Sequence, residues 1–139
     1  MDINLLSKEE QLEIINKGPY KIKFIKNPDK DVQLAAVNKY GYNIKYINNP
    51  DKDVQLAAVN ENGWSIKYIN NPDYDIQLIA VSQNGGSIEY IKNPDKDIQL
   101  AAIQDETNIY KYHFELIKPY ITYPDLLELL ELKILNFAD

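Results

Sequence analysis

Apolar positions return along this chain in a fixed order. Within residues 29–50 they fall at Val32, Leu34, Ala35, Ala36 and Val37, and, after Gly41, at Ile44 and Ile47. The order recurs 22 residues later as Val54-Gln-Leu-Ala-Ala-Val59 with Ile66 and Ile69, then as Ile76-Gln-Leu-Ile-Ala-Val81 with Ile88 and Ile91, and then as Ile98-Gln-Leu-Ala-Ala-Ile103. Asn-Pro-Asp opens each block, at 27–29, 49–51, 71–73 and 93–95. A fixed period of this length is the signature of a solenoid, whose units bury their apolar faces only by stacking on their neighbours.

Each unit reads as two helical pieces. The longer runs from about Asp29 to Tyr40, with Asp29 as N-cap, Asp31 against the positive end of the helix dipole, and Ala35 and Ala36 as strong helix formers. Pro28 keeps Asn27 out of a helix. Gly41 stands where a left-handed C′ residue is expected. The shorter piece, one or two turns and 3₁₀ in part, is expected to start at Asn43, Ser65 or Ser87 and to point Ile44 and Ile47 into the core.

The ends vary the pattern. In the first unit Gln11, Leu12 and Ile15 fall in register, Ser7-Lys-Glu-Glu10 has capping-box spacing, and Pro19 takes the glycine slot. The fifth unit has Thr107 in that slot and His113 where isoleucine is expected. Tyr123-Pro-Asp125 then restarts a helix, with Asp125 and Glu128 again at capping-box spacing. The expected fold is all-α: one domain, 1–139, an α-solenoid of about five 22-residue two-helix repeats (7–28, 29–50, 51–72, 73–94, 95–116) with a C-terminal capping helix over 117–139.

The unit Asn-Pro-Asp-x-Asp-[Val/Ile]-Gln-Leu-Ala-Ala-Val, then Gly, then Ile-Lys-Tyr-Ile, resembles the leucine-rich repeat variant family and HEAT-like repeats. It is also similar to uncharacterised short-repeat proteins of phage, giant viruses and bacteria. The resemblance spans residues 7–112. It implies a superhelix of stacked short helices, and it brings no catalytic motif. It implies little about function; taken together with the cysteine-free, lysine- and asparagine-rich composition it gives the expectation of a phage-encoded inhibitor of a host defence system, anti-CRISPR-like, acting in the host cytoplasm.

Charge and composition narrow the chemistry. The net charge of −6 sits at the ends: −2 over residues 1–18, 0 over 19–104 and −4 over 105–139. That distribution argues against a broad nucleic-acid footprint. No apolar run is long enough to span a membrane, no secretory leader is expected, and a cysteine-free chain suits the cytoplasm. The single histidine, His113, and the lack of a nucleophile elbow or phosphate-binding glycine loop give no expectation of an enzyme, a cofactor or a metal site. The Asp-x-Asp pairs (Asp29/Asp31 and their equivalents) lack the glycine and distal glutamate of a calcium loop and read as cap plus dipole partner.

Three sets of side chains are candidates for contact. Gln11, Gln33, Gln55, Gln77 and Gln99 form a ladder that either bonds loop backbone or makes a polar stripe on a binding face. Phe24, Tyr46, Tyr68, Tyr90 and Tyr112, beside Lys23, Lys45, Lys67, Glu89 and Lys111, either pack between repeats or form a basic–aromatic row able to hold single-stranded nucleic acid. Positions that vary between units read Tyr20, Tyr42, Trp64, Gly86, Asn108; Gly18, Tyr40, Asn62, Asn84, Glu106; and Lys30, Lys52, Tyr74, Lys96.

Exposed aromatics in turns are typical interface anchors. The expected function is therefore non-enzymatic protein binding, through Tyr20, Tyr40, Tyr42, Trp64, Tyr74, Lys45 and Lys67. The alternatives are nucleic-acid binding by the Lys/Tyr rows, or self-association through Leu129 and Leu132. Those two leucines lie off the expected buried stripe of Leu127, Leu130, Ile134 and Phe137.

Overall fold

A computed structural model describes residues 1–105 and 111–136, without the side chains of Lys111 and Tyr112. The readings at Glu106, Thr107, Asn108 and Phe137, and those of the Lys111 and Tyr112 side chains, fall outside what is described. The described elements are all helical. Seven α-helices, α1 (Lys8–Lys17), α2 (Lys30–Lys39), α3 (Lys52–Glu61), α4 (Tyr74–Gln83), α5 (Lys96–Ile103), α6 (Lys111–Ile117) and α7 (Pro124–Leu135), occur with six 3₁₀ helices. Four of the latter, Pro19–Phe24, Gly41–Tyr46, Gly63–Tyr68 and Gly85–Tyr90, hold one register position in successive repeats.

The chain divides into two compact units, Met1–Asn71 and Pro72–Asp139. In the first, α1 packs on α2, α2 on α3, and the 3₁₀ helix Gly41–Tyr46 on both Pro19–Phe24 and Gly63–Tyr68. In the second, α5 packs on α4 and α7, and Gly85–Tyr90 lies against α4, α5 and α6. This is the all-α solenoid stacking that the period predicts. Its core is the repeated set Val32, Ala36, Val37, Ile44 and Ile47 with its equivalents from Val54 through Ile103, all buried, joined by Ile15, Ile22 and Ile25 of the first repeat.

The caps hold the α-helix starts in place. Ser7 and Glu10 form a reciprocal capping box. Asp51, Asp73 and Asp95 each accept the N–H of the residue three further on, whereas Asp29 makes no such bond. The glutamine ladder clamps the turns: Gln33, Gln55, Gln77 and Gln99 each donate Nε2 to the carbonyl of the proline five residues earlier, at 2.8–3.0 Å. Gln11 does the same for Ile3.

The glycines act differently from expectation. None has positive φ; the left-handed residues are Asn27, Asn49, Asn71 and Asn93, with φ of 47, 47, 48 and 52°. Asparagine is among the few side chains that tolerate that region. Gly41 is needed for space. A Cβ there would overlap the Ala58 carbonyl oxygen and lie 2.5 Å from Ser65 Oγ; at Gly85 it would lie 2.5 Å from the Ala102 oxygen and 2.9 Å from His113 Nε2. The freed approach is used by the backbone. The Gly41 N–H donates to Glu61, and the Gly85 N–H to Asp105 at 2.8 Å, each acceptor 20 residues on. Pro19, in the same slot, has no N–H, and the register residue 20 further on is Lys39, which is no acceptor.

The shorter pieces also start earlier than expected. They begin at the glycines and are 3₁₀ throughout. Asn43, Ser65 and Ser87 are therefore interior and buried rather than caps. Asn43 donates to the Ala36 carbonyl at 3.0 Å, while the Ser65 and Ser87 hydroxyls have no partner among the described residues.

At the C-terminal end the N-cap of α7 is Tyr123. Asp125 lies in the first helical turn and pairs with Lys96 at 2.7 Å, so it forms no capping box. Of the expected stripe Leu130 is fully buried, whereas Leu127 and Ile134 are half-buried and Leu126 takes the other buried place on α7. Thr122 and Gln99 exchange two hydrogen bonds, and Lys133 reaches the Ile103 carbonyl at 3.0 Å, fastening α7 to α5.

Candidate functional site

Lysine occupies two kinds of place in the repeats. At the α-helix starts it meets carboxylates of the following repeat. Lys8 lies 3.1 Å from Asp31, Lys30 lies 3.1 Å from Asp51 and also pairs with Asp53, and Lys96 meets Asp125. These contacts hold the Lys8, Lys30 and Lys96 ammonium groups above the ordinary lysine range, chiefly through hydrogen bonds to the paired aspartates. Tyr74 occupies the lysine slot in the second unit and aims its hydroxyl at Asp97, 3.4 Å away. Asp31, Asp53 and Asp97, second aspartates of their Asp-x-Asp pairs, are thus inter-repeat partners as well as dipole partners.

The 3₁₀ row of the first unit is different. Lys23, Lys45 and Lys67 are exposed and make no ion pair among the described residues. They lie over rings instead. The Lys23 Nζ is 4.9 Å from the Phe24 centroid and 5.9 Å from Tyr20. Lys45 Nζ is 4.9 Å from Tyr46 and 5.9 Å from Tyr68, one repeat on, and Lys67 Nζ is 4.9 Å from Tyr68 and 5.1 Å from Tyr42. Tyr42 and Tyr68 meet edge to face at 5.8 Å. The result is a continuous lattice, Tyr46–Lys45–Tyr68–Lys67–Tyr42, of alternating cations and rings. Segments 19–28, 41–50 and 63–71 contribute Lys21, Lys23, Lys26, Lys45 and Lys67 and no carboxylate.

Between the rungs lie two grooves in the same register. One, of about 480 Å³, is bounded by Lys23, the Asn27-Pro28 turn, Gln33, Tyr46 and Asn48. The next, of about 590 Å³, is bounded by Lys45, Asn49-Pro50, Gln55, Tyr68 and Asn70. The Asn48, Asn49 and Asn70 amides have no hydrogen-bond partner among the described residues.

The expected anchors divide accordingly. Tyr42, Lys45 and Lys67 come together in the lattice, and Tyr20 sits under Lys23. Tyr40 is 60 % exposed at the junction of α2 and its 3₁₀ helix. Trp64 is half-buried, and its backbone N–H is held by Asn62 Oδ1 at 3.0 Å. Tyr74 belongs to the ion ladder of the second unit, away from any lattice. Tyr46, Tyr68 and the groove amides were not singled out as anchors from the sequence; the signal for them is the Lys-Tyr-Ile-Asn-Asn run, polar and aromatic where the helix starts are acidic.

His113 is 3 % exposed, with its Nε2 3.7 Å from Asp105. Burial pulls its pKa below the ordinary value of 6.5, against the opposing effects of Asp105 and a hydrogen bond with the Ala102 backbone. It fills the last joint. Among the described residues no three His, Cys, Asp or Glu side chains converge, and no helix is long and apolar enough to cross a membrane.

The family described as a domain of unknown function, DUF4116, matches residues 29–74 and again 51–94. The two matches are offset by one repeat and together cover three 22-residue units, 29–94. No curated protein and no solved structure matches the chain. The repeated match and the repeated helix pairs make this chain a helical repeat protein, similar over residues 29–94 to that family.

Proposed function

We propose that this chain is a non-enzymatic protein-binding scaffold whose contact surface in the first unit is the 3₁₀ face. The observation that carries the reading is the contrast among lysines: Lys8 and Lys30 at the helix starts are paired with carboxylates of the next repeat, whereas Lys23, Lys45 and Lys67 lie over rings with no ion pair among the described residues. Tyr20, Tyr40 and Tyr42 flank that row as exposed aromatic anchors. The resemblance carries a narrower form, a phage-encoded inhibitor of a host defence protein, acting in the cytoplasm.

Nucleic acid is the less favoured occupant. Base stacking needs open ring faces, and the chain's own ammonium groups cover those of Phe24, Tyr46 and Tyr68. The chain also lacks arginine, the side chain best suited to bidentate phosphate contact.

The test is affinity capture from lysate of the source cell, with wild type beside Lys45→Glu/Lys67→Glu and a charge-matched Lys17→Glu/Lys39→Glu control. Loss of a captured protein with the first variant alone supports the reading. Equal capture by all three removes it, and a nuclease-sensitive catch transfers the face to nucleic acid.

A second reading has its own observation. Leu132 and Leu135 are exposed on α7, whereas Leu129 is half-buried. Self-association through this strip predicts a concentration-dependent mass in sedimentation that Leu132→Glu/Leu135→Glu abolishes.

A further inference from the structure

The two grooves of the first unit repeat one set of groups: a lysine without a carboxylate, an Asn-Pro turn, a glutamine, and a tyrosine and an asparagine from the next repeat. Each group has capacity to spare. Gln33 and Gln55 give Nε2 to the proline carbonyl, which leaves Oε1 to accept. Asn48 and Asn70 keep both a donor pair and an acceptor, the complement of one peptide unit. The ammonium groups rest on rings, which take up none of their N–H donors as a carboxylate would.

Ligand chemistry follows from these groups. Neutral amides that match a peptide backbone, set beside one cation per repeat, fit a polymer that carries backbone amides and a periodic negative charge. We infer that the 3₁₀ face of the first unit binds an extended acidic polypeptide, one carboxylate per lysine of the row, with the carboxylates three residues apart. This rests on reading that face as a protein-binding surface.

The spacing comes from two lengths. Packed helices stand ~8–10 Å apart, and an extended chain advances ~3.3 Å per residue, so about three residues span one repeat. Lys23, Lys45 and Lys67 would then face carboxylates at positions i, i+3 and i+6. Tyr46 and Tyr68, between the lysines, flank the intervening residues. A helical ligand does not fit the same frame, since its backbone amides are bonded internally and cannot use Asn48 and Asn70.

The experiment is fluorescence anisotropy with the full chain and labelled synthetic peptides of one composition, Glu among Ser and Gly. The peptides place their glutamates at every third position, at every second position, or contiguously. A labelled oligothymidylate of equal charge is included. The expected result is that the every-third peptide binds about five- to tenfold more tightly than the other two, as two rim ion pairs are worth. That preference is expected to vanish in Lys45→Glu/Lys67→Glu and to persist in Lys17→Glu/Lys39→Glu. Asn48→Leu/Asn70→Leu, which leaves every charge in place, is expected to weaken all peptides alike.

Equal affinity for the three peptides overturns the register. So does absence of peptide binding by a wild-type protein whose captured partner is still lost with Lys45→Glu/Lys67→Glu; the protein-binding reading then survives without this ligand. Tighter binding of the oligothymidylate overturns both. Far-UV circular dichroism and a thermal midpoint on each variant keep loss of binding separate from loss of fold.

Discussion

At the starts of α1 and α2 lysine is half of an ion pair; in the 3₁₀ row of the same unit it is not. Lys8 and Lys30 reach aspartates of the following repeat, while Lys23, Lys45 and Lys67 lie over rings. Both sets are exposed, and both recur with the repeat. The first exists because Asp31 and Asp53 stand one residue past a full period from their lysines, and the second because segments 19–28, 41–50 and 63–71 hold no acid. A regular stack can therefore use one residue type as mortar on one face and leave it available on another. The net charge of the repeats, zero, conceals that segregation.

The largest way to break the comparison is to remove the joint on which both faces hang. Gly41→Ala forces a methyl against the Ala58 oxygen and Ser65 Oγ, and is expected to cost about 3 kcal/mol in urea unfolding, with both faces lost together. A normal stability would show that the joint yields.

The next largest effect concerns the turn between the faces. Asn49 is left-handed, so Asn49→Ala is expected to cost about 1 kcal/mol and Asn49→Gly much less. Equal losses would assign the asparagine a side-chain role instead.

His113 in the second unit offers a third fate for an ionisable group: neutral and enclosed. Burial depresses its pKa, so below its ordinary value the unfolded chain binds the extra proton first. Its contribution to stability is complete above pH 6.5 and is lost as the pH falls from there. The urea midpoint is expected to drop between about pH 7.5 and 5.5, and to drop less in His113→Ile, which restores the residue that Ile91 supplies one repeat earlier. Parallel pH profiles for the two proteins would refute this.

The smallest effects sharpen the comparison most. Lys30→Ala and Lys45→Ala should each lower the urea midpoint only slightly. Added salt should erase only the Lys30 loss, since a screened ion pair fades where a ring contact persists. Equal salt response would make the two faces alike.

The architecture was legible because its signals are local and repeated. Asn-Pro-Asp marks each start, aspartate caps, and the 22-residue period carries the apolar set. What escaped notice belongs to the approach of one repeat to the next. Gly41 reads as a helix terminator within its own repeat, and only Ala58 and Ser65 reveal a demand for space. The left-handed residue was misplaced for the same reason, since asparagine and glycine both tolerate that conformation and a single repeat offers no third body to decide. Ser65 and Ser87 resembled caps because serine favours them; burial assigned them to the joint. On the candidate face the Lys and Tyr rows were plain, but whether a lysine has a carboxylate depends on a residue 23 positions away.

The joint bond has a bearing on how such chains can grow. Glu61 answers the amide of Gly41, so a repeat is completed by a letter written in its successor. Copying residues 51–72 in tandem would set Glu61 of the second copy against Gly63 of the first, an acceptor meeting a donor. Copying residues 29–50 would set Lys39 against Gly41, two donors facing each other in a closed space. Lineages that lengthen this array by duplication are thus expected to copy from the middle of the chain, and to leave the block that follows Pro19 single.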